Sequence, residues 1–98
     1  MGSVKDPEGV EARVLDRMVD FSGRRVLEVG CGEGRLTWIY ADRAAKVLGI
    51  DSESESIAAA RRATPPQLAA KVRFRVASAE KFRVRPAGFD IAFLSWSL

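Results

Sequence analysis

The sequence predicts an α/β sandwich built on a mainly parallel sheet. Three observations carry this: short apolar, β-branched runs alternate with stretches of helical spacing, turn or capping residues separate them, and the last run, FDIAFLSW, is almost continuously apolar. Alternation of this kind makes βαβ units, whose right-handed crossovers lay strands side by side and put helices on the sheet faces.

Asp6 as a cap and Pro7 in the first turn open a helix over residues 6–21. Its Val10, Val14, Leu15, Met18 and Phe21 recur at helical spacing, with Glu11, Arg13, Asp16, Arg17 and Asp20 opposite. Ser22-Gly23-Arg24 breaks the chain before Arg25 to Val29, a short run that reads as a buried strand. Beyond a glycine cluster, Leu36, Ile39, Tyr40 and Ala44 share one face of a second helix that ends near residue 43.

KVLGID, residues 46–51, is the second strand. Ser52 and Glu55 then supply a capping box for a helix through Ile57, Ala60 and Ala63, which Pro65-Pro66 stops. Val72, Phe74 and Val76 alternate with Arg73 and Arg75, as in an edge strand with one wet face. Phe89 to Trp96 differs: a continuous apolar run in a parallel sheet implies burial on both faces and neighbours on both sides.

With 98 residues, the chain has room for one small domain, an N-terminal helix over 1–22 and a core over 23–98. Sixteen basic residues against 13 acidic leave a net charge of +3, scattered in ones and twos, which argues against a nucleic-acid arm. Cys31 is the single cysteine and there is no histidine, so an intrachain disulfide is excluded and zinc has few ligands to draw on. No metal site is expected. Without an imidazole to activate it, Cys31 also makes a poor nucleophile. No apolar stretch approaches the roughly 20 residues of a membrane span, MGSVKDPEG lacks the apolar core of a secretory signal, and the chain reads as cytoplasmic.

The residues that carry chemistry sit in VLEVGCGEG, residues 26–34. Gly30, Gly32 and Gly34 fall at a strand-to-helix turn, the place where open α/β sheets bind ligands. Without Cβ atoms, the turn allows a ligand to lie against the backbone, and free N–H groups at the helix start face it. A dinucleotide fingerprint needs G-x-G-x-x-G; here the third glycine comes one position early and Arg35 stands where the last should be.

VLEVGCGEGRLT resembles motif I of the class I S-adenosylmethionine-dependent methyltransferases, a hydrophobic strand, an acid and G-x-G-x-G. LGID with its following helix is similar to the second-strand motif, VASAEKF to the third and FDIAFLSWSL to the fourth, so four motifs in order span residues 26–98. The resemblance implies a Rossmann-like three-layer sandwich with strand order 3-2-1-4 and S-adenosylmethionine as cofactor. It implies that Gly30, Cys31 and Gly32 line the methionine and ribose portion, with Gly34 in the same turn and Glu28 on the amino-acid side. Glu28 alternatively ties down the turn's own amides. Asp51 stands where the family places the acid for both ribose hydroxyls, or it caps the next helix.

Two positions depart from the family pattern. Ser52 replaces the apolar side chain that usually lies against adenine, and Ser78 replaces an aspartate that reads the adenine amino group. Ala79 offers a backbone N–H there, and Phe82 packs near the base or in the core. Ser95 and Trp96 stand where the family places the transferring methyl. Family sheets continue past the fourth strand, so this chain leaves an open apolar edge, expected to be covered by a second copy in a homodimer. Three function classes follow: a methyltransferase or its cofactor-binding half, acceptor open; a non-catalytic S-adenosylmethionine-binding or interaction module; and an NAD-type domain, which the glycine spacing disfavours.

Overall fold

A computed structural model of the chain describes residues 20–78 and 88–95. The helix expected over 6–21 lies outside them except for its last two residues, as do Ala79, Phe82 and Trp96. Four strands, β1 (Arg25–Val29), β2 (Lys46–Asp51), β3 (Val72–Val76) and β4 (Ile91–Leu94), form one sheet in the order β3-β2-β1-β4. All three pairings are parallel. The α/β class and the strand order are those the sequence implied.

Among the described residues, two helices and a 3₁₀ turn lie between the strands: α1 (Thr37–Tyr40), α2 (Ser54–Ala63) and Pro66–Leu68. Because β1 to β2 to β3 steps twice in one direction, right-handed crossovers put α1 and α2 on the same face. There Val26, Val47, Val72 and Phe74 meet Tyr40, Ala41, Ile57 and Ala60 in one buried cluster. On the opposite face Leu27 and Ile50 are buried too, so the central strands are covered on both sides. Each such aliphatic side chain contributes about 1.5–3 kcal/mol on burial. The chain returns to the far side of β1 to place β4, so the order reverses at the C-terminal end of β1.

Three local expectations are corrected. The second helix is regular only over Thr37–Tyr40, because i to i+3 bonds, Ile39 N–H to the Leu36 carbonyl and Arg43 N–H to the Tyr40 carbonyl, tighten both its ends. Ile39 is 38% exposed, and the buried face is Leu36, Thr37, Tyr40, Ala41 and Ala44. The capping box does not form: α2 has Glu53 at its N-cap without a side-chain cap bond. The Asp51 carboxylate has taken the Glu53 N–H at 2.9 Å, which starts the helix one residue later than Ser52 would. The proline stop does hold, with α2 ending at Ala63 and Thr64 Oγ1 donating to the Ala60 carbonyl.

β4 is the third correction. Among the described residues it pairs with β1 alone, Ile91 and Phe93 are half-buried, and Leu94 is 56% exposed. An apolar run fixes what a strand can bury, whereas its position in the sheet order decides what it does bury. Asp90 sets the register from the start of this pair, accepting the Arg25 N–H at 2.8 Å and its guanidinium at 3.2 Å. Among the described residues β3 is an edge strand, as its alternation predicts, with Val72 and Phe74 buried and Arg73 and Arg75 exposed.

Candidate functional site

Gly30, Gly32 and Gly34 have φ of 78°, 60° and 92°, the left-handed region that side chains other than glycine rarely adopt. The bend they form leaves the C-terminal end of β1 at the strand-order reversal. A Cβ built on Gly32 would meet nothing within 4 Å, so its surface opens outward. A Cβ on Gly34 would stand 2.8 Å from Trp38 Cζ2. Gly34 is therefore buried beneath the indole and gives its missing side chain to packing.

Four amides of the bend are engaged within the protein. Gly30 and Cys31 donate to the Ile50 carbonyl at 2.7 and 3.0 Å, Gly32 to Asp51 Oδ2 at 2.9 Å, and Gly34 to the Cys31 carbonyl at 3.0 Å. What these four residues offer a ligand is backbone surface without side chains. Asp51, at the end of β2, thus ties the bend through one oxygen and the entry to α2 through the other.

Glu28 is completely buried. Three hydroxyls converge on it: Thr37 Oγ1 and Tyr40 OH donate to Oε1 at 2.7 and 2.6 Å, and Ser95 Oγ donates to Oε2 at 2.7 Å. Its alternative role is corrected: β2 ties down the bend's amides, and the glutamate gathers α1 and the end of β4 instead. Burial pushes the Glu28 carboxyl above its ordinary value, against the three hydrogen bonds, which pull it down. Ser95 Oγ also lies 3.1 Å from the Gly30 carbonyl, so this hydroxyl joins β4, the glutamate and the bend. Tyr40 is held in place by stacking on Phe21, with ring centroids 4.2 Å apart.

Glu28, Gly30, Cys31, Gly32, Asp51 and Ser95 all line one cavity of about 380 Å³ at the strand ends. That is within the range of small-ligand sites, about 300–1,000 Å³. Of the other expected site residues, Ser52 is exposed and Ser78 half-buried, and neither lines this cavity; nor does Gly34. Glu33, Arg35, Leu36 and Ser56 complete the wall and were not singled out from the sequence. For Ser56 the signal was its place on the first turn of the helix behind Asp51. Burial, then the charges of Glu28 and Asp51, push the Cys31 thiol up to about 12, so it is a packing residue at neutral pH. Among the described residues no three potential metal ligands come together, and no helix is long and apolar enough to cross a membrane.

An open parallel sheet whose first strand ends in a side-chain-free bend, at the strand-order reversal and between two acids, defines an α/β ligand-binding domain. The model of the methyltransferase domain family matches residues 26–98. The chain belongs to that family, within the class I S-adenosylmethionine-dependent methyltransferases that its motifs resemble. It is 40% identical over 78 residues to a ubiquinone biosynthesis O-methyltransferase of Aromatoleum aromaticum, covering 79% of this chain and 33% of that one. It is 38% identical over 68 residues to the magnesium-protoporphyrin O-methyltransferase of Rhodobacter capsulatus, covering 68% and 30%. A solved S-adenosylmethionine dependent methyltransferase of Mesorhizobium loti superposes with a TM-score of 0.71 at 28% identity, over 84% of this chain and 37% of that one. The chain spans about a third of the length of these curated relatives.

Proposed function

We propose that the chain is the cofactor-binding half of an S-adenosylmethionine-dependent methyltransferase, with its binding domain over residues 23–98. The observation that carries this reading is the Gly30–Gly34 bend, open at Gly32 and flanked in one cavity by Glu28 and Asp51. The ligand's chemistry fits that wall. Asp51, placed by its two amide bonds, keeps a second lone pair on each oxygen for the ribose hydroxyls. Glu28 faces the amino group, the bend lies under the methionine and ribose, the adenine extends past Asp51 toward Ser52 and Ser78 outside the cavity, and Ser95 holds the glutamate on the methyl side. When bound, the cofactor supplies an electrophilic methyl on a sulfonium. The protein's part is to align it and exclude water.

Both named relatives are O-methyltransferases, which makes a hydroxyl the acceptor to test first. Calorimetric titration with S-adenosylhomocysteine should saturate at one ligand per chain, while NAD should give no binding heat. Saturation by NAD, or by neither compound, overturns the reading. Methyl transfer from labelled cofactor to a hydroxyl-bearing panel then separates an enzyme from a binding module.

We further propose a homodimer along β4, on the strength of its single pairing among the described residues and the exposed Leu94. Sedimentation should give a mass that rises to twice the monomer with concentration; a constant monomer mass overturns it. The cytoplasm suits a chain whose one cysteine is a free, buried thiol.

A further inference from the structure

Arg35 shares the cavity wall with three carboxylates, Glu28, Glu33 and Asp51, and is the one cation lining it among the described residues. Other arginines are spent on the protein: Arg25 on Asp90, Arg43 on the Ile39 carbonyl and Arg61 on the Phe74 carbonyl. The Arg35 side chain makes no hydrogen bond or ion pair with the described residues, and it is exposed. A guanidinium beside three acids and joined to none of them is available to a ligand.

The pattern of charge says which kind of ligand group it suits. The wall carries three carboxyl groups and one guanidinium. A ligand with two cationic centres and one anionic centre is its complement, whereas a lone anion would be repelled by the three acids. S-adenosylmethionine has that complement: a sulfonium, an ammonium and a carboxylate. Glu28 and Asp51 are each held by protein donors, so neither can turn away from the cavity to relieve the carboxylate's repulsion. Among the charged side chains of the wall, the guanidinium alone offers attraction, and its fork of N–H groups matches a carboxylate's two oxygens.

We infer that Arg35 reads the carboxylate at the amino-acid end of the ligand, and makes the site choose a compound carrying that group over an adenosyl compound without it. This rests on the S-adenosylmethionine reading of the same cavity. Arg35 is a specificity residue and takes no part in the methyl displacement.

The test compares the full chain with its Arg35→Ala and Arg35→Lys variants by calorimetry. Three probes are used: S-adenosylhomocysteine, its decarboxylated form, and 5′-methylthioadenosine, which lacks the whole amino-acid end. The unaltered chain should prefer S-adenosylhomocysteine over the decarboxylated form by about tenfold or more, the size of a charge-assisted contact. Arg35→Ala should erase that preference while leaving 5′-methylthioadenosine within about twofold, and Arg35→Lys should recover part of it. Thermal melts should coincide, since the side chain is exposed; if Arg35→Ala folds poorly, Arg35→Lys still reports through its reduced preference. A preference that survives in Arg35→Ala, or an equal loss for all three probes, overturns the inference with the adenosyl site intact. If the unaltered chain binds none of the three, the adenosyl reading itself fails and the inference falls with it.

Discussion

Replacing Glu28 by leucine should cost about 3–6 kcal/mol and leave little folded protein, whereas Glu28→Gln should stay within about 2 kcal/mol of the parent. Leucine removes the acceptor of the Thr37 and Tyr40 hydroxyls and leaves Ser95 the Gly30 carbonyl, and each buried donor left unmade costs about 1–3 kcal/mol. That is a large share of the total stability of about 5–15 kcal/mol that such domains have. Glutamine keeps an acceptor oxygen and turns its amide to a hydroxyl lone pair, so the net loss is small. Urea unfolding of both variants checks the order; equal losses would mean that the carboxylate's shape matters and its hydrogen bonds do not.

The same residue sets a pH dependence. Its carboxyl is raised above the ordinary 4.5 by burial, so between that value and the folded one the native state binds more protons than the unfolded. The stability Glu28 contributes is therefore full below about pH 4.5 and falls as pH rises through the folded value. The protonated form has a place for its hydrogen: Oε2 donates to Ser95 Oγ, which turns its own proton to the Gly30 carbonyl 3.1 Å away. Asp20 and Asp90 work the other way, lowered chiefly by hydrogen bonds from Ser22 and Arg25, and lose their contribution as pH falls below the carboxylate range. The difference in stability between the parent and Glu28→Gln removes those common groups. It should decrease as pH rises above about 4.5; a flat or rising difference contradicts a buried, raised carboxyl.

These partners explain how far the sequence could be read. Three glycines at alternate positions after an apolar run mark a bend with positive φ wherever they occur, and Asp51 after KVLGI marks a strand end, so both were legible. The partners of Glu28 were not. Thr37 and Tyr40 lie nine and twelve residues on and meet it only because α1 folds back over β1, and Ser95 lies 67 residues away. Only the placement of β4 beside β1 brings Ser95 there, and local pattern does not contain that. The capping error has the same origin: Ser52 and Glu55 have the right spacing, but Asp51 was also within reach of the Glu53 amide and took it. Sequence spacing proposes partners, and competition among neighbours decides between them.

Gly49 was missed altogether, and substituting it should have the second largest effect. It stands in one row across the sheet, Phe93, Glu28, Gly49 and Phe74, all facing the helices. Its φ lies outside the left-handed region, so its backbone accepts an L-residue and the objection is space alone. A Cβ there would stand 2.8 Å from Phe74 Cδ1 and 3.0 Å from Cys31 Sγ. The Phe74 ring cannot simply withdraw, being buried and set edge-on to Trp38 with centroids 5.7 Å apart. Gly49→Ala should thus cost about 1–3 kcal/mol, the usual penalty of overpacking, and lower the melting temperature by roughly 5–20 °C. Because Cys31 belongs to the bend, the strain should also reach the ligand site, and S-adenosylhomocysteine affinity should fall although residue 49 does not line the cavity. A second substitution separates the two routes. Phe74→Leu in the Gly49→Ala background should recover stability, and Cys31→Ala should recover affinity more than stability, each as a non-additive coupling in a double-mutant cycle. If both pairs prove additive, the glycine is tolerated for reasons other than the contacts drawn here, and the bend is not mechanically joined to the core beneath it.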